Sequence, residues 1–165
     1  MVLLEICSSK NGTNWPSLQA AITGTYIRLT EAPGDYSTAM GASTIASGIS
    51  STAMGASTIA FGPSSTAMGA STIASGPSST ATGENTEASA NRSTAMGYGT
   101  KASGTYSVAI GTRATTNGHY GSMVLTDFVG TSGDSLKADL HNRFFARFDN
   151  GYKLYDSPLL VPSRF

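Results

Sequence analysis

Few residues in this chain have the types and spacing that enzymes use. The two histidines, His119 and His141, lie in different regions, and neither belongs to a metal-ligand pattern such as H-E-x-x-H. The many serines lack the G-x-S-x-G context of a catalytic nucleophile. Asp127, Asp134 and Asp139 offer oxygen ligands that suit calcium, but their spacing does not match an EF-hand loop. We therefore predict no catalytic residue, no metal site and no cofactor, and we expect the chain not to be an enzyme.

Charge and hydropathy restrict the possible partners. The 165 residues include 10 basic and 10 acidic side chains, so the formal net charge is zero. Because no basic patch gathers along the sequence, we expect neither nucleic acid nor an anionic membrane as a partner. No run approaches the roughly 20 apolar residues of a transmembrane helix, so we expect no membrane insertion by this chain. Glu5 interrupts the hydrophobic start, from which we predict no signal peptide.

The dominant feature is a 14-residue unit that is repeated six times over residues 37–120 without insertions. The copies begin at Ser37, Ser51, Ser65, Ser79, Ser93 and Ser107. Fourteen residues are too few for a helical hairpin, and glycine recurs in both halves of the unit, where it permits a tight turn. We therefore predict an all-β fold, a parallel β-roll (solenoid) with two short strands per coil. Six coils stacked at about 4.8 Å would form a rod about 29 Å long.

The first half of each copy predicts a strand with two different faces. One face carries threonine and methionine columns that become Val108 and Ile110 in the last copy, so we predict that this face points into the roll. The predicted interior residues are Met40, Met54, Met68, Met96 and Ile110. The other face is alanine in every copy, a uniformity that a solvent-facing position would not need. We predict that these alanines form a subunit interface: Ala39, Ala53, Ala67, Ala81, Ala95 and Ala109.

The second half of each copy predicts a strand with one face in water. Its outward column changes from isoleucine to Glu87, Lys101 and Thr115, and charged side chains are rarely buried. The alternate positions carry small threonines and alanines, which we predict to point into the roll. The outward side also holds an apolar stripe that we predict to contact a ligand: Ile45, Ile59, Phe61 and Ile73. The alternative is that isoleucine stands there only because it suits a β-strand.

A single roll of this kind would have a thin core. Each coil encloses only about four small side chains, and the predicted alanine face would be left bare in a lone chain. Identical parallel rods that meet through one uniform column suit a cyclic assembly. Three copies around an axis bury one face of each copy, and we therefore predict a homotrimer.

The repeats resemble a known family. The unit S-V-A-I-G-T-R-A-T-T-N-G at residues 107–118 and the upstream units S-T-A-M-G-x-x-T-x-A-x-G are similar to the head repeats of trimeric autotransporter adhesins, the YadA-like head. The resemblance covers residues 37–120 and implies a left-handed parallel β-roll that assembles as an intertwined trimer. Thr82 in the methionine column and Ala90 at the second glycine position depart from the pattern. They predict a local irregularity in the fourth copy.

The residues before the repeats, 1–36, are expected to cap one end of the roll. The sequence predicts a strand over residues 2–7, a short helix over residues 16–22 and a second strand over residues 26–30. Pro33 and Gly34 predict a turn that leads into the first coil.

The residues after the repeats, 121–165, are expected to form a separate neck or cap. Residues 143–148 alternate in polarity, Asn150 and Gly151 are a strong turn signal, and residues 152–155 continue beyond it, so we predict a β-hairpin. This segment resembles one that often follows YadA-like heads in bacterial surface and phage tail proteins.

Three functions are compatible with these patterns. The first is a trimeric fibrous attachment protein, an adhesin head or a phage tail fibre component, that binds a host-surface protein, a matrix protein or a glycan. It would be located at the cell surface, outside the cell or on a virion tail fibre. The second is a purely structural spacer. The third is an ice-binding solenoid, which the regular threonine columns suggest, although the inward placement predicted for them argues against it.

Overall fold

The computed structural model describes residues 30–127 and 135–151, which contain β-strands and no helix. The strands in chain order are β1 (Thr38–Ala42), β2 (Ile45–Ala46), β3 (Thr52–Ala56), β4 (Ile59–Ala60), β5 (Thr66–Ala70), β6 (Ile73–Ala74), β7 (Thr80–Glu84), β8 (Glu87–Ala88), β9 (Thr94–Tyr98), β10 (Lys101–Ala102), β11 (Val108–Thr112), β12 (Ala114–Thr115), β13 (Met123–Thr126), β14 (Leu136–Lys137) and β15 (Phe144–Arg147).

The strands form two parallel sheets, and each coil of the chain contributes one strand to each sheet. The eight-stranded sheet has the order β1-β3-β5-β7-β9-β11-β13-β15, and the seven-stranded sheet has the order β14-β12-β10-β8-β6-β4-β2. Within the repeats each strand residue pairs with the equivalent residue of the next copy, 14 positions later, so that Ala53 pairs with Ala67 and Ile59 with Ile73. This confirms the parallel β-solenoid with 14-residue coils. Its handedness and its trimeric assembly stay predictions.

Two columns of glycine permit this close stacking. Gly55 has a φ of 121°, and a Cβ atom built on it would lie 2.0 Å from the carbonyl oxygen of Gly69 in the next coil. On the other side of the coil, a Cβ atom on Gly62 would lie 2.1 Å from the carbonyl oxygen of Gly76. Both distances are far below van der Waals contact, so the backbones of successive coils meet only where no side chain intervenes.

The alanine column lines the inside of the roll, which contradicts the subunit interface predicted for it. In a single chain Ala53, Ala67, Ala81, Ala95 and Ala109 have no exposed surface, and Ala39 is partly buried against the same core. Alanine recurs there because the space between the two sheets is too narrow for a larger side chain. A residue sealed inside one chain cannot contact another.

The methionine column points outward, so the interior position predicted for it is wrong. Met40, Met68 and Met96 are 56%, 40% and 43% exposed, and Met54 and Ile110 are half-buried. The neighbouring column of Thr52, Thr66, Thr80, Thr94 and Val108 lies on the same outward side. Apolar residues at alternate positions identify a strand face that is shielded from water. They do not reveal whether residues of the same chain or of another chain provide that shielding.

The second strand of each coil has the predicted orientation. Its inward positions are buried: Thr44, Thr58, Thr72, Thr86, Thr100, Ala46, Ala60, Ala74, Ala88, Ala102, Ala114 and Thr116. The outward column, from Ile45 to Thr115, is half-buried or exposed. The interior therefore consists of alanine, threonine and serine from both sheets, with Ser51, Ser65, Ser79, Ser93 and Ser107 buried at one corner of the coils.

The roll extends beyond the repeats at both described ends. Residues 30–37, T-E-A-P-G-D-Y-S, match the second half of a copy, and Glu31 pairs in parallel with Ile45. At the other end β13, β14 and β15 add further strands to the two sheets, although the spacing from Val108 to its partner Met123 is no longer 14 residues. There larger side chains replace alanine in the inward column: Val124 is buried and Phe145 is partly buried.

The hairpin predicted for the C-terminal strand stays a prediction, because only its first strand lies within the described residues. Within the described residues β15 pairs in parallel with β13. The second hairpin strand predicted over residues 152–155 lies outside the described residues. The strand predicted over residues 2–7, the helix over residues 16–22 and, except for Thr30, the strand over residues 26–30 also lie outside them.

The fourth copy contains the irregularity that its sequence predicts. In the coils before it, the amide groups of Gly62 and Phe61 both donate to the carbonyl oxygen of Ala74, at 3.2 and 2.9 Å. At the corresponding place only Ser89 donates to Ala102, at 3.0 Å, and the bond from the amide of Ala90 is missing. The fold is otherwise unchanged, because both sheets continue through this copy.

Candidate interaction surfaces

The outward side of the eight-stranded sheet, which we call the Met face, is uncharged and largely apolar along its centre and carries the exposed Glu84 at its margin. Its two central columns are Thr38, Thr52, Thr66, Thr80, Thr94 and Val108, and Met40, Met54, Met68, Thr82, Met96 and Ile110. The columns continue into Met123 and Leu125 of β13 and into Phe144 of β15, which is 63% exposed. Long strands in exact register present these side chains on one continuous surface.

The seven-stranded sheet carries the predicted ligand stripe on its outward side. Ile45, Ile59 and Ile73 pair in register, Ile73 is 36% exposed, and Phe61 beside them is 52% exposed. The structure thus brings together all four predicted residues, which we call the Ile stripe. Nothing in the structure tests whether they bind a ligand.

The Ile stripe ends at an ion pair. In the next two coils the same column holds Glu87 and Lys101, whose Oε2 and Nζ atoms are 2.8 Å apart. Their side chains are 35% and 51% exposed, so water screens the pair and its contribution to stability is small. The column therefore accepts charge without a change in the backbone.

A third surface lies along the turn that leads from each short strand to the next long strand. Here Arg92 Nη1 donates a hydrogen bond to Tyr106 Oη at 2.8 Å, and its guanidinium carbon lies 5.4 Å from the ring centre. On the next coil Tyr120 stacks on His141, with ring centres 4.0 Å apart and 17° between the ring planes. We call Arg92, Tyr106, Tyr120 and His141 the aromatic ridge.

The aromatic ridge was missed at the sequence level because its residues occupy turn positions. The same position holds Ser50, Ser64 and Ser78 in the earlier copies, and comparison of the copies at that position would have revealed the change to Arg92 and Tyr106. The tertiary structure also brings His119 to His141, with ring centres 4.8 Å apart, although they are distant in sequence. No catalytic or metal-binding role was predicted for either histidine.

Residues 30–127 and 135–151 contain neither a cluster of metal-ligating side chains nor a membrane-spanning helix. Among these residues no three histidine, cysteine, aspartate or glutamate side chains gather closely enough to hold a metal ion. None of them belongs to a helix with the length and apolar character to cross a membrane.

Comparison with known proteins identifies the repeat region. A family model described as the YadA head domain repeat matches residues 46–72, 74–100, 88–114 and 102–121. No curated protein matches the chain. The YadA head family points to an adhesin-type function on an exposed surface, and its β-solenoid fold is typical of non-enzymatic proteins. Residues 46–121 therefore form a YadA-like head that is built from 14-residue coils.

Proposed function

We propose that the chain is the head of a trimeric attachment fibre, in which three copies pack through the Met face and bind a host-surface protein or glycan with their outer surfaces. The exposure of the Met face in a single chain carries this proposal. Met40 is 56% exposed and Phe144 is 63% exposed, at opposite ends of the two uncharged central columns of this surface. Soluble monomers rarely leave such an extended apolar surface in water.

The geometry of the Met face suits rotation about an axis along the roll. Its columns run through the sheet in exact register, as Met54 pairs with Met40 and with Met68. Each copy can therefore meet the other two at the same level in every coil. A closed cyclic assembly buries one such surface per copy and leaves none free for further growth.

Light scattering of the purified chain tests this assembly with two matched variants. Met68 and Ile73 are 40% and 36% exposed in the single chain, but they lie on opposite sheets. Met68→Glu would place three carboxylates near the axis, where burial and like charge oppose ionisation, so we expect the trimer to dissociate. Ile73→Glu should leave it intact. A monomeric wild type, or a trimer that withstands Met68→Glu and dissociates with Ile73→Glu, would contradict the proposal.

The attachment part of the proposal depends on the surfaces that the trimer leaves in water. The Ile stripe lies on the sheet opposite the Met face, so it would remain on the outside of such an assembly. Exposed apolar stripes are frequent contact sites. The location would be a cell surface or a virion tail fibre, and the partner a surface protein, a matrix protein or a glycan.

The ice-binding alternative regains one argument from the structure. Thr52, Thr66, Thr80 and Thr94 lie outside the roll in a regular column, so the inward placement no longer excludes them from contact with ice. They belong to the Met face, however, and the proposed trimer would cover them. We therefore expect no thermal hysteresis from the trimer, and a positive measurement would favour the ice-binding function.

A further inference from the structure

The aromatic ridge has the character of a binding surface because its rings are large, exposed and held in place. Tyr106 is 59% exposed and Tyr120 is 49% exposed. The hydrogen bond from Arg92 fixes one ring, and the amide of Tyr120 donates to His141 Nδ1 at 3.1 Å beside the stacked pair. Rings that are ordered before a ligand arrives lose little entropy when it binds.

Folding does not require an aromatic residue at the position of Tyr106. Tyr106 has a φ of 58°, in the left-handed region that bulky side chains rarely adopt. Ser64, the equivalent residue of an earlier coil, has a φ of 56°. The fold therefore needs no aromatic residue there. Tyr36 has the same φ at the same corner, so it is the contact with Arg92 that distinguishes Tyr106.

Neighbouring coils place the parts of the ridge side by side. The amide of Tyr106 donates to the carbonyl oxygen of Asn91, the amide of Gly121 to Thr105, and the amide of Asn142 to Tyr120, at 2.9 to 3.0 Å. Arg92, Tyr106 and Tyr120 thus stand on successive levels of the roll. The ridge is an extended row, which suits a chain-like ligand better than a compact one.

The chemistry of the row defines the ligand class. Exposed aromatic faces pack against the C–H faces of sugar rings, and tyrosine adds a hydroxyl at the rim. Arg92 uses one hydrogen-bond donor on Tyr106, and a guanidinium group has five N–H donors in a fork that matches a carboxylate or a sulfate. The described residues form no continuous basic groove of the kind that nucleic acids require, because Glu84 and Glu87 lie in the same coil as Arg92, and Glu87 pairs with Lys101 of the next coil.

We infer that the aromatic ridge binds an acidic glycan, with the sugar rings on Tyr106 and Tyr120 and the acidic group at Arg92. This site is separate from the Ile stripe, because it lies at the turns and not on the outward side of the seven-stranded sheet. The acidic group is a carboxylate or a sulfate, which share the recognition by Arg92.

Binding of immobilised sialyllactose, heparin tetrasaccharide and lactose by the full chain tests this inference. We expect the wild type to prefer at least one acidic probe to lactose, and the probe that binds identifies a carboxylate or a sulfate. Tyr106→Ala with Tyr120→Ala should weaken that binding at least tenfold. Arg92→Gln should reduce it to the level of lactose, because the charge is lost while a donor to Tyr106 remains.

Tyr36→Ala is the matched control. Tyr36 is 86% exposed and has the same φ of 58° at the same corner of the roll, but it stands at the opposite end, far from Arg92 in the stack. Its variant should bind as the wild type does. Unchanged binding by the Tyr106→Ala, Tyr120→Ala variant, absence of binding to all three probes, or a preference for single-stranded DNA would each overturn the inference. None of these results affects the proposed trimer, which light scattering measures separately.

Discussion

Ala67 and Met68 are consecutive residues of β5, yet Ala67 has no exposed surface while Met68 is 40% exposed. Adjacent side chains of a strand point to opposite faces, so one of them belongs to the interior of the roll and the other to the Met face. This relationship recurs in the other coils and determines how substitutions in the long strands act.

Enlarging an interior alanine should destabilise the roll. Ala53 and Ala56 lie in the same strand, but Ala53 is fully buried and Ala56 is exposed in the single chain. Ala53→Val adds two methyl groups to a filled interior, which costs about 1 to 3 kcal/mol in the free energy of unfolding. Ala56→Val should change it by about 0.5 kcal/mol or less. Chemical denaturation measures both, and equal effects would contradict the assigned orientation of the strand.

Glycine in the long strand should be indispensable for stacking. Gly55→Ala combines a φ of 121° with a Cβ atom 2.0 Å from the oxygen of Gly69, whereas Gly118 has a φ of 79° and no neighbour within 4 Å of such an atom. Gly118→Ala should therefore cost only the conformational strain of about 1 to 2 kcal/mol. Gly55→Ala should cost considerably more, since the backbones must also separate. Thermal unfolding measures both variants, and equal melting temperatures would contradict the close backbone contact assigned to Gly55.

The amide of Ala90 should exchange with solvent faster than its counterparts. The amides of Gly62 and Gly76 donate to carbonyl oxygens at 3.2 Å, and the corresponding bond of Ala90 is missing. Hydrogen exchange of the native chain should therefore show protection at Gly62 and Gly76 but little at Ala90. Strong protection at Ala90 would mean that this amide has an acceptor in the assembled protein.

Charge on the Ile stripe should abolish attachment but preserve the assembly. Ile59→Lys changes a column that already accepts Glu87 and Lys101, and Phe61→Ser gives the neighbouring column the serine that Ser75 and Ser89 provide in later copies. The trimer and its melting temperature should stay nearly unchanged, while adhesion is lost on a natural surface from which acidic glycans, the ligands inferred for the aromatic ridge, have been removed. Adhesion by the double variant would exclude the Ile stripe as the contact site. If the chain is a purely structural spacer, neither the wild type nor the double variant should adhere.

Much of the fold was predictable because it repeats. The 14-residue period, the glycines at two corners and the alternation in the short strands together predicted the parallel solenoid, its two strands per coil and the inward Thr58 and Ala60. Charge identified the water side of the short strand, since Glu87 and Lys101 stand in its outward column. Ala90 likewise marked the coil in which one hydrogen bond is absent.

The orientation of the long strand was decided only by the tertiary structure. Neither side of this strand carries charge in the first three copies, so periodicity identified two faces without showing which one was inside. The narrow gap between the sheets admits Ala67 and excludes Met68, and that gap is a property of the assembled coils. The aromatic ridge has this origin only in part: Arg92 and Tyr106 stand one 14-residue period apart, whereas Tyr120 and His141 meet across 21 residues that the repeat does not relate.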